Sequence, residues 1–409
     1  MKTLSKIHFI LLSLGLLVSG CCQSKNSSDC KQYKQETHIV ESALKPHVTS
    51  GELPGVISVL IDEKASKQDI ACIGWANVAE KRPISMDQMF MQCSQTKGFC
   101  GVTIAILVEE GKISLDDPVS KYLPEFKNIK VAEKDKNGKV KLVPAKNEIT
   151  IRMVMNHTAG FPFEIPTKKV KGWAGLSIQD TAKEAASQPI GFHPGTKSQY
   201  SNTGIDIGAA VIEVVTKKPW DVFLKERVLN PLGMENTTFN PTDAQLKNHI
   251  SMYKIIKNKP AEFTLFNNWM PLPHNGPTVF PSAGAGLWTT ANDQLKFYKM
   301  LMNLGVGENG VRILKEETVK NLLATSTRPE KLGKYSLGLS VSNDGWFGHG
   351  GAWNTNCRVN WKNKQLQLWA VQLLSTKNGS WHKDYKKAVD DFFSGKAEKE
   401  EDKYVGRTK

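Results

Sequence analysis

A serine and a lysine three positions apart open a strongly apolar stretch in the first third of this 409-residue chain. Ser94 and Lys97 precede a run over residues 99–108 in which hydrophobic side chains fall on nearly every face of a helix. Such a helix belongs in the interior of a sizeable protein. If it begins near Ser94, the two side chains share one face, with Cβ atoms about 5–6 Å apart, at the positive end of the helix dipole. A serine needs a neighbouring base to become a nucleophile, so the spacing predicts an activated hydroxyl.

The Ser-x-x-Lys spacing is weak evidence by itself. Such pairs begin at Ser28, Ser42, Ser94, Ser251 and Ser380. In a lysine-rich chain most of them are expected to be solvated helix faces. Only the pair at Ser94 heads an apolar helical pattern, which ends at Gly111, a usual helix stop. The context, rather than the spacing, selects Ser94 and Lys97.

Two further polar groups come from a distant segment. Tyr200 and Asn202 form the only Tyr-x-Asn pair in the chain and precede an apolar helical run over residues 205–215. A phenol with a lowered pKa can act as a base, and an asparagine amide can hold both a lysine and a substrate carbonyl. The alternative for Tyr200 is a core tyrosine whose hydroxyl is satisfied by a neighbour.

A glycine-rich stretch, His349-Gly350-Gly351-Ala352, precedes a strand-hairpin pattern near the end of the chain. Glycines beside a strand let a substrate approach the backbone closely. His274 also begins a His-x-Gly sequence, but in a proline-rich loop with no strand after it. A third histidine, His157, stands just before a helix-ending glycine. It is either a base or, in the preferred interpretation, a structural histidine that ties a turn.

The elements that must position these groups follow a simple order. A helical pattern over residues 36–48 leads into two strand-like runs, 56–62 and 70–78, and then into the central helix. Residues 149–302 are mainly helical in pattern, with a small hairpin expected around Asn137-Gly138 before them. Strands return over residues 337–374, and a short helix follows over 385–393. This order predicts an α/β (α+β) fold with one sheet built from both ends of the chain and an inserted helical region.

The two termini differ from this body. Residues 1–20 have two lysines before a short apolar run and read as a signal peptide. The sequence Val18-Ser-Gly-Cys21 resembles a bacterial lipobox, which implies cleavage before Cys21 and a diacylglyceryl group on its thiol; a plain signal peptide is the alternative. Residues 21–37 are expected to be a tether and 394–409 a charged tail. We therefore expect an exported, membrane-anchored bacterial lipoprotein facing the periplasm or the cell exterior.

The composition of the chain limits the partners and cofactors that we expect it to bind. The formal net charge is +14, but no basic motif interleaved with aromatic residues is present, so nucleic acid is not expected as a partner. The nine histidines include no His-x-x-x-His, and the seven cysteines have no zinc-type pairing. Neither a metal nor another cofactor is expected. An exported location would permit a disulfide among Cys72, Cys93, Cys100 and Cys357, but the sequence does not decide whether one forms.

Taken together, the motifs resemble the serine β-lactamase-related family, which includes class C β-lactamases, D-alanyl-D-alanine peptidases, D-aminopeptidases and carboxylesterases. The resemblance rests on Ser94–Lys97, residues 156–160, Tyr200–Asn202, residues 231–234, residues 283–290 and His349–Gly351, in that order. It covers about residues 38–393, with a helical insertion at about 112–280. It implies a β-lactamase/transpeptidase-like fold, in which helices flank an antiparallel sheet.

The resemblance also implies roles for the residues that match. Ser94 would be the acylated nucleophile, Lys97 and Tyr200 would share the general-base and proton-shuttle role, and Asn202 would orient Lys97 and the substrate. The backbone N–H groups of Ser94 and Ala352 would form the oxyanion hole. His349, with Gly351, would form the third motif on an edge strand. In such a site the charge of Lys97 would lower the pKa of Tyr200, and Tyr200 and Asn202 would lower the pKa of Lys97 by desolvation and hydrogen bonding.

One departure from the family bears on the substrate. Class C β-lactamases usually carry Lys-Thr-Gly at the third motif, where the cation and the hydroxyl hold a carboxylate. Here His349 and Gly350 replace them, and histidine is mostly neutral at pH 7. This favours small-molecule esters, or D-amino-acid amides and D-peptides, over β-lactams. Trp353 and Asn354, which follow, either narrow the acyl pocket or simply pack.

The sequence therefore predicts a monomeric, lipid-anchored serine hydrolase that acts through a Ser94 acyl-enzyme. A cell-wall peptide is a further candidate substrate. The first alternative is a β-lactamase or a penicillin-binding D-alanyl-D-alanine peptidase. Such an enzyme would either hydrolyse a cephalosporin or be stably acylated by it. The second is a non-catalytic cell-wall-binding lipoprotein, in which Ser94→Ala would leave ligand affinity unchanged.

Overall fold

A computed structural model describes residues 35–165, 176–257, 259–263, 280–374 and 379–395. The expected signal peptide, Cys21 with its lipid, nearly all of the tether, the tail beyond residue 395 and the loop of His274 lie outside these ranges. Each helix within these ranges is too short or too polar to span a bilayer.

Strands and helices alternate in an irregular order along the chain. The strands are β1 Gln35–Glu36, β2 Gly55–Asp62, β3 Lys67–Asn77, β4 Arg82–Pro83, β5 Phe90–Met91, β6 Lys130–Lys134, β7 Val140–Pro144, β8 Tyr253–Ile256, β9 Lys259–Glu262, β10 Trp288–Thr289, β11 Ser340–Val341, β12 Phe347–Gly351, β13 Thr355–Asn360, β14 Gln365–Ala370 and β15 Leu373–Leu374. The helices are α1 Ile39–Thr49, α2 Thr96–Glu109, α3 Ile151–Met155, α4 Ile178–Ala186, α5 Asn202–Thr216, α6 Trp220–Leu224, α7 Asp243–Lys247, α8 Ala291–Met302, α9 Glu316–Thr318 and α10 Ser380–Ser394.

The main sheet joins the two ends of the described chain. Its order is β1-β3-β2-β14-β13-β12-β11, with β4 paired to β3. Val59 on β2 lies opposite Leu368 on β14, so the N-terminal hairpin continues directly into the C-terminal one. All neighbours along this order are antiparallel except β1 and β3. This confirms the predicted sheet of distant segments.

Helices cover both faces of the sheet. All eight residues of β2 are buried, because its side chains alternate between two hydrophobic clusters. Val59 belongs to the larger cluster, which holds α2 and α8. Leu60 belongs to a smaller cluster formed with α1 and α10. A strand buried on both faces is expected to be apolar throughout, as β2 is.

Helix α2 lies in the larger cluster with every residue from Thr96 to Leu107 buried. A 3₁₀ turn over Cys93–Gln95 leads into the helix at the place where the start was predicted. Gly111, the predicted stop, follows the helix at φ 68°. The helix packs tightly because it has a glycine where another backbone crosses it. A Cβ on Gly101 would lie 1.9 Å from the carbonyl oxygen of Leu337.

The region between the N-terminal and C-terminal strands of the main sheet contains strands as well as the predicted helices. The hairpin expected around Asn137-Gly138 is confirmed as β6–β7. A second hairpin, β8–β9, and the pair β5–β10 were not predicted. The strand expected from residue 337 is only β11. Strand β11 pairs only with Phe347 and Gly348 of β12. Strand β12 as a whole is therefore second from the edge of the sheet and not the predicted edge strand, but at His349 it pairs with β13 alone.

Candidate active site

Ser94 is held by the turn that starts the central helix. The 3₁₀ turn Cys93–Gln95 leads directly into α2, and Cys93 takes a left-handed backbone conformation at φ 51°. The hydroxyl of Thr96 donates to the carbonyl of Cys93 at 2.7 Å and closes the turn. One turn on, Lys97 is fully buried, and its Nζ lies 3.3 Å from Oγ of Ser94. The predicted hydroxyl–amine pair is therefore formed.

The Lys97 amine has two shorter contacts. Its Nζ lies 2.5 Å from Oδ1 of Asn202 and 2.7 Å from the carbonyl oxygen of Gly284. Both oxygens can only accept hydrogen bonds, so a neutral amine would donate its two N–H groups to them. Its lone pair is then free to accept a hydrogen bond from the hydroxyl of Ser94. Burial lowers the pKa of Lys97 to about 7, as predicted, so the neutral form is accessible near neutral pH.

Asn202 is fixed by the N-terminus of α5. Ser201 caps this helix, because its Oγ accepts from the backbone N–H of Gly204 at 3.0 Å. The same hydroxyl donates to the carbonyl of Pro162 at 2.6 Å, and the N–H of Asn202 donates to Phe163 O at 2.9 Å. The cap thereby aims the Asn202 amide at Lys97.

Tyr200 covers the pair from one side. Its ring centroid lies 4.5 Å from Nζ of Lys97, and its hydroxyl bonds to Ser94 and lies 3.5 Å from Nε2 of His349. The residue as a whole is 38% exposed, but its hydroxyl is largely buried. This burial raises the pKa of the hydroxyl above the usual value, and the bond to Ser94 offsets only part of the rise. The predicted lowering of the Tyr200 pKa is wrong. Desolvation outweighs the bond to Ser94, and Lys97 has no resolved influence on this pKa, so Tyr200 is a neutral phenol at pH 7.

His349 on β12 is a neutral imidazole with an assigned tautomer. Its Nδ1 lies 2.6 Å from the carbonyl of Gly350, which can only accept, so Nδ1 carries the proton. Its Nε2 therefore accepts, and the hydroxyl of Tyr335 lies 2.8 Å away. Burial, and then the nearby charge of Lys97, lower the pKa of His349 to about 3. The third motif offers no cation at neutral pH.

His157 lies behind the site as part of its wall. It is buried, at φ 67°, and its Nδ1 accepts from the N–H of Ser201 at 3.3 Å. Its ring centroid is 4.6 Å from those of both Tyr200 and Tyr335. Burial holds its pKa well below the usual value. These contacts fit the structural interpretation of His157 rather than that of a base.

The end of β12 comes close to the turn of Ser94. A Cβ on Gly351 would lie 2.3 Å from the carbonyl oxygen of Gln92, and the N–H of Ala352 bonds to the thiol of Cys93. Gly351 and Ala352 thus lie beside the predicted nucleophile. The two residues that follow pack: Trp353 lies against Phe263 at 5.8 Å between ring centroids, and Asn354 donates to the carbonyl of Leu373.

Three residues of the site were not found from the sequence. Gly284 lies within residues 283–290, which the resemblance included, but its role rests on a backbone carbonyl, which its residue type does not reveal. Tyr335 continues the alternation of Leu337 and Leu339, which indicates a strand and not a site residue. Asp206 does give a sequence signal, because it is an acid within an apolar helical run, one turn after Asn202 and on the same helix face. Within the described ranges, Cys72, Cys93, Cys100 and Cys357 are free thiols.

With the geometry established, comparison with known proteins decides the family. A family model described as Beta-lactamase matches residues 40–391. The chain belongs to the beta-lactamase family. The main sheet with its flanking helices is the β-lactamase/transpeptidase-like fold, as predicted.

Individual proteins similar to this member of the beta-lactamase family have several descriptions. An uncharacterized protein of Mycobacterium tuberculosis is 27% identical over 317 residues, 76% of each chain. EstCE1, described as a hydrolase with promiscuous acyltransferase activity, has a TM-score of 0.70 at 21% identity and covers 86% of this chain and 97% of its own. A mutant of simvastatin synthase from Aspergillus terreus has a TM-score of 0.72 at 18% identity, covering 88% and 97%. At these identities the two structures support the fold alone.

Proposed function

We propose that this protein is a serine hydrolase that forms an acyl-enzyme on Ser94 and acts on esters or on D-amino-acid amides and peptides. The observation that carries the proposal is the Lys97 amine, which is fully buried and lies 3.3 Å from Oγ of Ser94. Its pKa of about 7 makes it a base matched to neutral pH.

The chemistry follows from the hydrogen bonds around this amine. As Oγ of Ser94 attacks the substrate carbonyl, its proton passes to the lone pair of Lys97, and the new C–O bond gives a tetrahedral oxyanion. The N–H groups of Ser94 and Ala352 would bind that oxyanion, the second after exchanging the thiol of Cys93 for the substrate oxygen. Tyr200, a neutral phenol bonded to Ser94, would donate its proton to the leaving group and recover one from Lys97. Water then attacks the acyl-enzyme by the same steps in reverse.

The third motif supports the substrate class. His349 is neutral because its pKa is lowered to about 3, and Gly350 has no hydroxyl. A substrate carboxylate would therefore meet no cation from this strand, whereas an ester or an uncharged amide needs none. This favours esters and D-amino-acid amides over β-lactams, which carry such a carboxylate.

Labelling by a fluorophosphonate tests the proposal. The wild-type protein should form one adduct on Ser94, located by peptide mass spectrometry, and Ser94→Ala should form none. Ser42→Ala is a matched control, because Ser42 also stands three residues before a lysine but lies on the exposed face of α1. Wild-type protein that is folded and yet unlabelled would refute the acyl-enzyme.

A small substrate panel then separates the alternatives. Chromogenic esters and D-amino-acid anilides should be turned over faster than a chromogenic cephalosporin. Preferential turnover of the cephalosporin, or its stable acylation of Ser94, would instead favour a β-lactamase or a penicillin-binding peptidase. Binding of cell-wall peptide by Ser94→Ala at wild-type affinity, without hydrolysis by the wild type, would favour a non-catalytic binding protein.

We also propose that the protein is exported, anchored to a membrane through a lipid on Cys21, and active as a monomer. The support for export and for the lipid anchor is the N-terminal sequence, with its apolar run ending at Val18-Ser-Gly-Cys21. Metabolic labelling with a radioactive fatty acid should mark the wild type and not Cys21→Ala. Equal labelling of the two proteins would argue against the anchor.

A further inference from the structure

We propose that Asp206 is a positioning residue for Lys97: it anchors the loop that carries the Gly284 carbonyl, and its negative charge tunes the protonation of the amine. This inference rests on the proposed acyl-enzyme chemistry and adds to it a residue that touches neither Ser94 nor the substrate.

Both short contacts of the Lys97 amine lead back to helix α5. Asn202 accepts from Lys97 directly, at 2.5 Å. The other acceptor is the carbonyl of Gly284, and the N–H of the same residue donates to Oδ1 of Asp206 at 3.1 Å. Asn202 and Asp206 are four residues apart and so lie on one face of the helix. A single helix face thus places both acceptors, one directly and one through Asp206.

The loop of Gly284 is held to this face by more than one bond. The hydroxyl of Ser282 donates to Oδ1 of Asp206 at 3.2 Å, and it also accepts from the N–H of Gly284 at 3.2 Å. The loop lies so close to the helix that a Cβ on Gly284 would be 2.8 Å from Cβ of Asn202. A shift of the Asp206 carboxyl would therefore move the carbonyl that Lys97 contacts.

The charge of Asp206 acts on the same amine. Asp206 is 1% exposed, and burial raises its pKa to about 7, against the opposing effects of the Gly284 N–H and of Lys97. For Lys97, burial lowers the pKa, and the charge of Asp206 is the largest influence in the opposite direction. The amine and the carboxyl are both buried and each stabilises the charge of the other, so removing the carboxylate should make Lys97 lose its proton at a lower pH.

The other groups that face Lys97 are weaker candidates for this role. They are Cys93, Cys100, Glu164, Tyr200, His157 and His349. Burial raises the pKa of both thiols and of the phenol and lowers that of both imidazoles, so all five are neutral at pH 7. Glu164 is the remaining acid, and its charge influences Lys97 less than that of Asp206.

Two measurements on Asp206→Asn test this inference. The first is the titration of the Lys97 side chain by NMR of ¹³Cε-labelled lysine, assigned by the signal lost in Lys97→Met. The second is the pH dependence of fluorophosphonate labelling of Ser94. In Asp206→Asn both midpoints should move to lower pH by about one unit or more, and the plateau labelling rate should fall about ten-fold or more because the carbonyl is misplaced.

Three further variants separate charge from position. Ser282→Ala keeps the carboxylate but loses an anchor, so its plateau should fall while its midpoint stays. Asp293→Asn removes another buried carboxyl, on α8, which bonds Asn236 and Thr237 instead, and it should leave both midpoint and plateau unchanged. Asp206→Glu keeps the charge with a longer side chain, so the midpoint should stay and the plateau should fall.

The outcomes are separable. Unchanged midpoint and plateau in a folded Asp206→Asn, checked by circular dichroism, would overturn the inference. If that variant does not fold, wild-type plateaus in both Asp206→Glu and Ser282→Ala would overturn it. A wild type that shows the lysine titration but no labelling of Ser94 would refute the proposed function, and the NMR midpoint of Asp206→Asn would still test the effect of Asp206 on Lys97.

Discussion

Oδ1 of Asn202 lies 2.5 Å from Nζ of Lys97, although 105 residues separate the two in the chain. Each residue stands in the first turn of a buried helix, Lys97 in α2 and Asn202 in α5. The contact therefore fixes how these two helices meet, and it takes up one N–H of the amine. What Lys97 can do for Ser94 depends on this pairing.

The acylation rate should depend on pH through Lys97. Burial lowers the pKa of this amine to about 7, and only its neutral form can accept the proton of Ser94. The rate of fluorophosphonate labelling should therefore be low at pH 5, rise through pH 7 and level off above it. Lys97→Met, which has no base, should be slower by about 10³. A flat profile between pH 5 and 9 would show that another group is the base.

Removing the Asn202 amide should impair the chemistry more than the fold. In Asn202→Ala the Lys97 amine loses its shortest contact and is no longer aimed at Ser94, so kcat/KM for a chromogenic ester should fall about 10². Asn309→Ala is the matched control, because Asn309 lies in an exposed turn and donates to the carbonyl of Pro231. Equal activities of the two variants would contradict the orienting role.

Tyr335 and His349 should be energetically coupled. In Tyr335→Phe the buried Nε2 of His349 loses its nearer donor, 2.8 Å away, and keeps only the Tyr200 hydroxyl at 3.5 Å, which should cost about 1 kcal/mol of folding free energy. Urea unfolding of this variant, of His349→Gln and of the double variant gives a double-mutant cycle. We expect a coupling of about 1 kcal/mol. Simple additivity would mean that the hydroxyl does not stabilise the imidazole.

The close crossing of α2 should tolerate no added methyl group. In Gly101→Ala the new Cβ would meet the carbonyl oxygen of Leu337 at 1.9 Å, so the free energy of unfolding should fall by about 3 kcal/mol. Gly191→Ala is the control, because the nearest atoms to its Cβ would be 3.7 Å away. The urea midpoint should drop only for Gly101→Ala. Similar midpoints would show that α2 can move away from residues 337–339.

The contact between α1 and α10 should strengthen as the pH falls through the pKa of His47. Its Nδ1 lies 2.6 Å from Glu52 and its Nε2 lies 2.8 Å from Asp384. Burial alone would lower the pKa of His47, but the bonds and charges of these two acids raise it above 6.5. Since the folded value is the higher one, the stabilisation is complete below pH 6.5 and is lost as the pH rises through the folded pKa.

His47→Gln measures this contribution. The variant should lose about 1 kcal/mol of unfolding free energy at pH 6 and less at pH 9, as read from urea curves. At pH 6 Glu52 is ionised, since the pKa of its carboxyl is lowered by His47 and Ser380 despite burial. A loss of the same size at both values of pH would mean that the proton on His47 contributes nothing.

Features set by short-range patterns could be predicted from the sequence. The apolar run after Lys97 predicted α2 and its burial. Alternation of apolar residues located the hairpin β2–β3, and Asn137-Gly138 located β6–β7. Periods, caps and turns act over a few residues, so the local sequence determines them. The short pair β5–β10 escaped prediction because two-residue strands have no period.

The order of the motifs also determined which side chains would be candidates for the site, namely Ser94, Lys97, Tyr200, Asn202 and His349. Tertiary structure alone decided their chemical state. Tyr200 is a neutral phenol rather than the expected phenolate-like base, because its pKa depends on the balance between burial and charge contributed by remote segments. Asp206 and the carbonyl of Gly284 reach Lys97 only when a loop folds against α5. Residue types follow from the sequence, whereas proton affinities follow from what surrounds each group in space.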